Sequence, residues 1–239
     1  MEIEEILSRE IAALGKERIE ALRRSSVLIA GIGGLGSAVA TYLARVGVGK
    51  LILVDPGIVE PPNLDRQILY SVEDVGRLKT EAARDRLARD APWCSVEARR
   101  VSVESEEMRS LVSSVDLVID ALDTWRARRA LNRLCIELRK PLIHGGVEAW
   151  HGQVTTVIPC RTPCIDCFAP RKEREGPIPV IAPVVGLVAM IQCIEAIKTL
   201  CGYGPSLAGR MLVVDARSMQ FETIEIRRAP TCPTCSRLC

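Results

Sequence analysis

The chain has 239 residues, 48% of them hydrophobic, and its 32 basic residues nearly cancel its 30 acidic ones. That length and apolar content suffice for one α/β domain with a full core, and the charge balance marks neither a nucleic-acid binder nor an anionic-membrane binder. The first ten residues hold four glutamates and no apolar run, so no secretory signal is read there, and a cytoplasmic location with mostly reduced or metal-bound cysteines is expected.

Residues 2–24 are charged and helical in period. An apolar run at 27–30 reads as a buried strand, followed by a glycine turn, a helix over 35–46 and a second strand over 50–54 that ends at Asp55. The stretch 56–76, rich in proline, asparagine and aspartate, is too long for a mere connection and is a candidate for function. Helix 78–89, strand 95–101, helix 104–113, strand 116–120, helix 124–138 and strand 141–144 continue the alternation. This order predicts a Rossmann-like, mostly parallel sheet with helices on both faces. From Gln153 the pattern changes: 153–158, 211–214 and 222–227 read as strands of a C-terminal antiparallel portion, with a helix over 184–200 between them. The stretch 176–194 is uncharged and nearly long enough to span a membrane, but Pro177, Pro179 and Pro183 break its first part, so a buried helix is expected.

The glycine turn reads Gly31-Ile-Gly33-Gly34-Leu-Gly36 and stands between a strand and a helix. Asp55 lies nineteen residues past Gly36, where an acid can accept both ribose hydroxyls. Alone, these features favour a dinucleotide oxidoreductase. The following segment points elsewhere. Asn63-Leu-Asp-Arg66-Gln67 and then Lys79 place two cations and two amides after the second strand, and Asp123 adds a carboxylate after the fourth. Cations plus a metal-binding carboxylate suit a triphosphate with magnesium better than a nicotinamide ring. The loop lacks a Gly-Lys-Ser/Thr ending, so it is no P-loop, and Arg66 and Lys79 must reach the phosphates from elsewhere.

Cys164/Cys167 and Cys232/Cys235 form two Cys-x-x-Cys pairs. A two-residue gap lets both thiolates of a pair face one ion, and two pairs supply a closed tetrahedral site, so structural zinc is the leading reading. A disulfide framework, a redox pair, unrelated thiols or an iron–sulfur cluster are the rivals. Cys94, Cys135, Cys193 and Cys201 read as small buried hydrophobes. His144, at the end of an apolar strand, reads as a packed or hydrogen-bonded residue, and Trp125 and Trp150 fit either core or partner contact.

Taken in order, Ser8-Arg9, the glycine loop, Asp55, Asn63 to Gln67, Gly76 with Lys79, the Asp120/Asp123 run, Gly152-Gln153, the two cysteine pairs and Glu195-Ala-Ile-Lys198 closely resemble the ThiF/MoeB/HesA family of ubiquitin-activating-enzyme-like adenylyltransferases. The resemblance covers nearly the whole chain and implies a single adenylation domain, residues 1–239. Its nucleotide-binding half is 1–150, and 151–239 bears the zinc and the partner site. It further implies a homodimer that uses ATP and magnesium to adenylate the C-terminal glycine of a small β-grasp ubiquitin-like or sulfur-carrier protein ending in Gly-Gly. Arg9, Arg66, Lys79 and Asp123 would be catalytic, with Arg9 reaching across the dimer. Gly33, Gly34, Asp55, Asn63, Gln67 and Thr124 would complete the nucleotide contacts. The chain departs from the family pattern at Pro62 and Thr124, where serine and asparagine are common. It also lacks a cysteine between 168 and 182, where many members form a thioester or persulfide, so adenylation alone is expected. The alternatives are a thioester on Cys201 or Cys239, or an inactive scaffold.

Overall fold

Side-chain alternation in the first strand sets the layers. In β1 (Ser26–Ala30), Val27 and Ile29 face one side, Leu28 and Ala30 the other, and all four are fully buried. Such a strand requires helices over both faces. The computed structural model, which describes residues 2–170, 176, 178–205 and 207–239, meets that requirement with one eight-stranded sheet in the order β3-β2-β1-β4-β5-β6-β7-β8. The parallel strands are β1, β2 (Lys50–Val54), β3 (Ser95–Arg99), β4 (Leu117–Asp120) and β5 (Leu142–Glu148); β6 (His151–Val157), β7 (Arg210–Asp215) and β8 (Gln220–Glu225) follow antiparallel. The antiparallel portion continues the same sheet; it is joined edge-on because β5 and β6 form a hairpin turned at Ala149, whose φ is 50°.

The charged N-terminal run is broken into three helices, α1 (Ile3–Ile6), α2 (Ser8–Leu14) and α3 (Lys16–Arg24), because Gly15 takes a φ of 87° between the last two. On the face with α3 lie α4 (Gly34–Arg45), α5 (Lys79–Asp90) and α8 (Ala182–Leu200), whose Leu22, Val39, Leu43, Ala83, Leu87 and Val188 share one core. On the opposite face α6 (Glu107–Ser113) and α7 (Trp125–Glu137) bury Met108, Val112, Leu131 and Ile136 against Leu28, Ile52 and Val118. By length and composition α8 could cross a membrane, yet here it packs along α4, β5 and β6. Its underside accepts Gln192, which donates to Asp120 O at 2.9 Å and occupies the space a Cβ on Gly145 would need.

The cysteine pairs, one before α8 along the chain and one after it, do not pack against that helix. They lie across the sheet from it, with α7, and the chain ends in α9 (Cys235–Leu238) beside them. A second cysteine expectation also changes. Cys160 and Cys239, 79 residues apart, are joined as a disulfide with a Cα–Cα distance of 5.1 Å, because the folded path brings the C-terminus back to the end of β6.

Two glycines test this packing. A Cβ on Gly36 would stand 1.9 Å from Gly31 O, whereas one on Gly186 in α8 would meet nothing within 4 Å. Gly36→Ala should destabilise the protein by about 1–3 kcal/mol. Gly186→Ala should stabilise it by roughly 0.5–1 kcal/mol. Urea unfolding of both variants checks the contrast.

Candidate active site

The connections after β1 and β4 leave adjacent parallel strands toward opposite faces, α4 to one and α7 to the other, so a crevice opens between the strand ends. The glycine loop enters this crevice against bare backbone. Gly31 has a φ of 87°, and a Cβ there would lie 2.7 Å from Ala121 O. Gly33 caps α4 and Gly34 begins it, which leaves the helix's first N–H groups aimed at the opening, a ready anion site.

Two side chains brace the loop and a third stands beside it. Asp55 Oδ2 accepts from Ile32 N at 2.8 Å while its Oδ1 accepts from Gly57 N at 2.8 Å. A carboxylate oxygen accepts more than one bond, so Asp55 can brace the loop and still receive ribose hydroxyls. Tyr70 Oη donates to Ile32 O at 2.7 Å, and burial raises its phenol pKa further, keeping the donor proton in place. Nothing in the sequence distinguished Tyr70 from a core aromatic. Gln67, 4% exposed, sets Nε2 3.8 Å from the position a Gly33 Cβ would take, and its Oε1 has no partner among the described residues. A buried acceptor without a donor beside a glycine cradle fits the edge of a bound nucleotide.

The cations approach from two sides. The Arg66 stem packs 3.6 Å from a Cβ position on Gly34, and its Nη1 donates to Pro62 O and Asp65 Oδ1, both at 2.7 Å. Lys79 opens α5, and its Nζ lies 3.7 Å from the Cβ position of Gly57, the same point that lies 3.0 Å from Asp55 Oδ1. Asp123, three residues beyond β4, is exposed, and its carboxylate has no hydrogen bond or ion pair among the described residues. It is a hard oxygen donor at the crevice, the chemistry a magnesium ion requires.

Other expected contacts fall differently. Asn63 is buried and its Oδ1 accepts from Glu60 N at 3.1 Å, closing a turn at Pro61–Asn63. Thr124 caps α7, its hydroxyl accepting from Ala127 N at 3.3 Å. Arg9 is exposed on α2, and no bond among the described residues links it to the crevice of its own chain. Beside Arg66 and Gly34 an open cleft is lined by Tyr42, Ile68 and Met190, with Tyr42 and Ile68 52% and 56% exposed. His144 is fully buried, in keeping with a hydrogen-bonded role, and Trp125 is tilted against it with ring centroids 5.8 Å apart.

The four paired cysteines converge. Sγ atoms of Cys164 and Cys232, and of Cys167 and Cys235, are each 3.5 Å apart, and all four lie within 4.8 Å of one another. Zn–S bonds of 2.3 Å in a tetrahedron give S···S separations of roughly 3.8 Å, so the set is the right size for zinc. Burial raises the thiols of Cys164 and Cys167, the latter to about 11, whereas at Cys235 burial is outweighed by the hydrogen bond with Arg228 and the thiol is lowered, so a bound cation would favour thiolates most at the first pair. The alternative thioester cysteines fare poorly. Cys239 is in the disulfide, and Cys201 is half-buried with its thiol 3.8 Å from Arg18 O and its pKa raised by burial. The segment 168–182, where the family's cysteine is missing, lies partly outside the described residues.

Residues 7–234 match the model of the ThiF family. The chain belongs to the ThiF family. This ThiF-family chain is 38% identical over 236 residues to the SAMP-activating enzyme E1 of Haloferax volcanii, covering 96% of the chain and 86% of that protein. It is 37% identical over 224 residues to the molybdopterin-synthase adenylyltransferase of Escherichia coli, covering 91% and 90%. Among solved structures, E. coli MccB with ATP superposes with a TM-score of 0.81 at 25% identity, covering 91% of this chain and 68% of that one.

Proposed function

We propose that this ThiF-family protein is an ATP-dependent adenylyltransferase that activates the C-terminal glycine of a small β-grasp ubiquitin-like or sulfur-carrier protein. The observation that carries the reading is the crevice itself: a glycine cradle and helix N-terminus flanked by Arg66, Lys79 and Asp123, whose carboxylate has no partner among the described residues. Names of close relatives, a SAMP-activating E1 and a molybdopterin-synthase adenylyltransferase, support the same substrate class.

A carboxylate oxygen of the partner's terminal glycine attacks the α-phosphate of ATP, forming an acyl-phosphate bond as the bond to pyrophosphate breaks. Both reactants are anions, so the site works by position and charge, with little proton transfer. Arg66 and Lys79 neutralise the phosphates, and Asp55 and Gln67 orient the nucleoside. Asp123 would hold a magnesium ion, which when bound would supply further neutralisation on the triphosphate. Arg9 completes the set from the second subunit of a homodimer; its exposure on α2, with no bond to its own crevice among the described residues, and the exposed Tyr42 and Ile68 of the cleft beside Arg66 support that arrangement. The four cysteines would hold zinc in a structural role, since a closed sulfur shell leaves no open position for chemistry. The cytoplasm supplies the ATP.

Partner-dependent ATP–pyrophosphate exchange should appear with magnesium and a Gly-Gly-ended carrier. Asp123→Ala should abolish it, and Arg66→Ala or Lys79→Ala should each add about 2.7–4 kcal/mol to the barrier. Normal exchange in all three would sink the mechanism. Metal analysis should find one zinc per chain, and Cys232→Ser should lose it together with heat resistance; a stable, metal-free wild type would contradict the assignment. Mixing inactive Arg9→Ala and Lys79→Ala proteins should restore part of the exchange, because one mixed site then holds both native residues. No recovery after subunit mixing would overturn the placement of Arg9 across the dimer.

A further inference from the structure

A buried polar cluster supports the segment that carries Asp123, and no step above uses it. Asp120 ends β4 and pairs in register with His144 of the adjacent strand β5, and both are fully buried. His144 Nδ1 donates to Asp120 Oδ2 at 2.7 Å. That fixes the tautomer, leaving Nε2 to accept from Gln153 Nε2 at 3.1 Å, while Arg128 Nη1 lies against the ring, 3.3 and 3.4 Å from its two nitrogens.

Arg128, in the first turns of α7, is 6% exposed and turns back toward the end of β4. Its Nε and Nη2 donate to Leu122 O at 3.1 and 2.6 Å, while Leu122 N donates to Asp120 Oδ1 at 3.1 Å. The peptide units on both sides of Leu122 are therefore pinned, and the second of them carries the backbone N of Asp123. Burial works against the Asp120 carboxylate, but the Arg128 charge and the His144 bond outweigh it and lower its pKa; burial and Arg128 together lower that of His144. The cluster is thus an ion pair with a neutral imidazole bridging it. Buried ion pairs gain little stability over apolar side chains of the same volume, so packing alone does not account for these residues. What they supply is a fixed backbone beside an otherwise exposed loop.

We propose that Arg128, oriented by Asp120 and His144, is a positioning residue that holds the Asp123 carboxylate where the metal of the nucleotide complex binds. The inference rests on the adenylation reading for the metal's role, but its test does not depend on turnover. Lysine at 128 keeps the charge yet cannot donate twice to Leu122 O and also reach His144.

Manganese serves as the probe, its binding to the zinc-loaded protein measured by electron paramagnetic resonance with a nonhydrolysable ATP analogue present. Arg128→Lys should weaken manganese binding on the order of tenfold, as should Asp123→Asn, and the double variant should be no weaker than Asp123→Asn alone. In exchange assays the magnesium requirement should rise while the KM for the carrier protein stays unchanged. His144→Asn, whose amide can still donate to Asp120, should retain tight binding that His144→Ala loses, which keeps the test informative should Arg128→Lys fold poorly. Metal binding in Arg128→Lys or His144→Ala within twofold of wild type would overturn the proposal. So would effects of Arg128→Lys and Asp123→Asn that simply add, or a wild type that binds manganese no better than Asp123→Asn. Wild-type metal binding without any exchange would instead count against the adenylation reading alone.

Discussion

Contact between bare backbone and bare backbone at the crevice is the constraint on which the rest of the site depends. The glycine loop after β1 lies so close to the 121–122 segment after β4 that a single methyl on Gly31 would collide with a carbonyl oxygen. Two strands can approach this closely only at their ends, where their connections diverge toward opposite faces. Everything that would touch a nucleotide is then mounted on one side or the other of that seam. Asp55, Tyr70, Gln67 and Arg66 hold the glycine side; Asp120, Arg128 and His144 hold the other. A rigid seam lets charged groups be placed without reorganisation when charge develops on the phosphates.

Helix α7 ties the crevice to the cysteine cluster. Its first turn is capped by Thr124 next to Asp123, and the following turn sends Arg128 to the Leu122 carbonyl. One turn further, Asn132 Oδ1 accepts from Ile165 N at 3.1 Å, inside the first cysteine knuckle. Asp166 of that knuckle in turn accepts from Thr234 of the second at 2.5 Å. A single helix of thirteen residues therefore has its N-terminus fixed by the active-site loop and its middle fixed by the cysteine knuckle.

Much of the fold was legible because its signals are local. Short apolar runs marked β1, β2 and β4, and the glycine spacing marked the crevice loop, since each depends on residues a few positions apart. The two Cys-x-x-Cys pairs announced a shared site for the same reason. The polar cluster was not legible: Arg128 sits among Arg126, Arg129 and Arg133, and only the fold selects the one that turns inward. Tyr70 and Gln67 acquire meaning from partners far away along the chain or from the lack of one. The side of the sheet taken by the cysteines and the pairing of Cys160 with Cys239 depend on how long connections return, which residue spacing does not encode.

That last pairing alters how the metal donors are organised. Along the chain, Cys167 and Cys232 are 65 residues apart, and gathering them from a free coil would require closing a large loop. Through the bridge the distance shrinks, since Cys164 stands four residues from Cys160 and Cys235 four from Cys239. The two hooks are thereby hinged like the jaws of a clip whose spring is covalent. An ion leaving the site would not release the tail, and the four sulfurs would meet the next ion as a prearranged chelate, with most of the loop-closure entropy already removed.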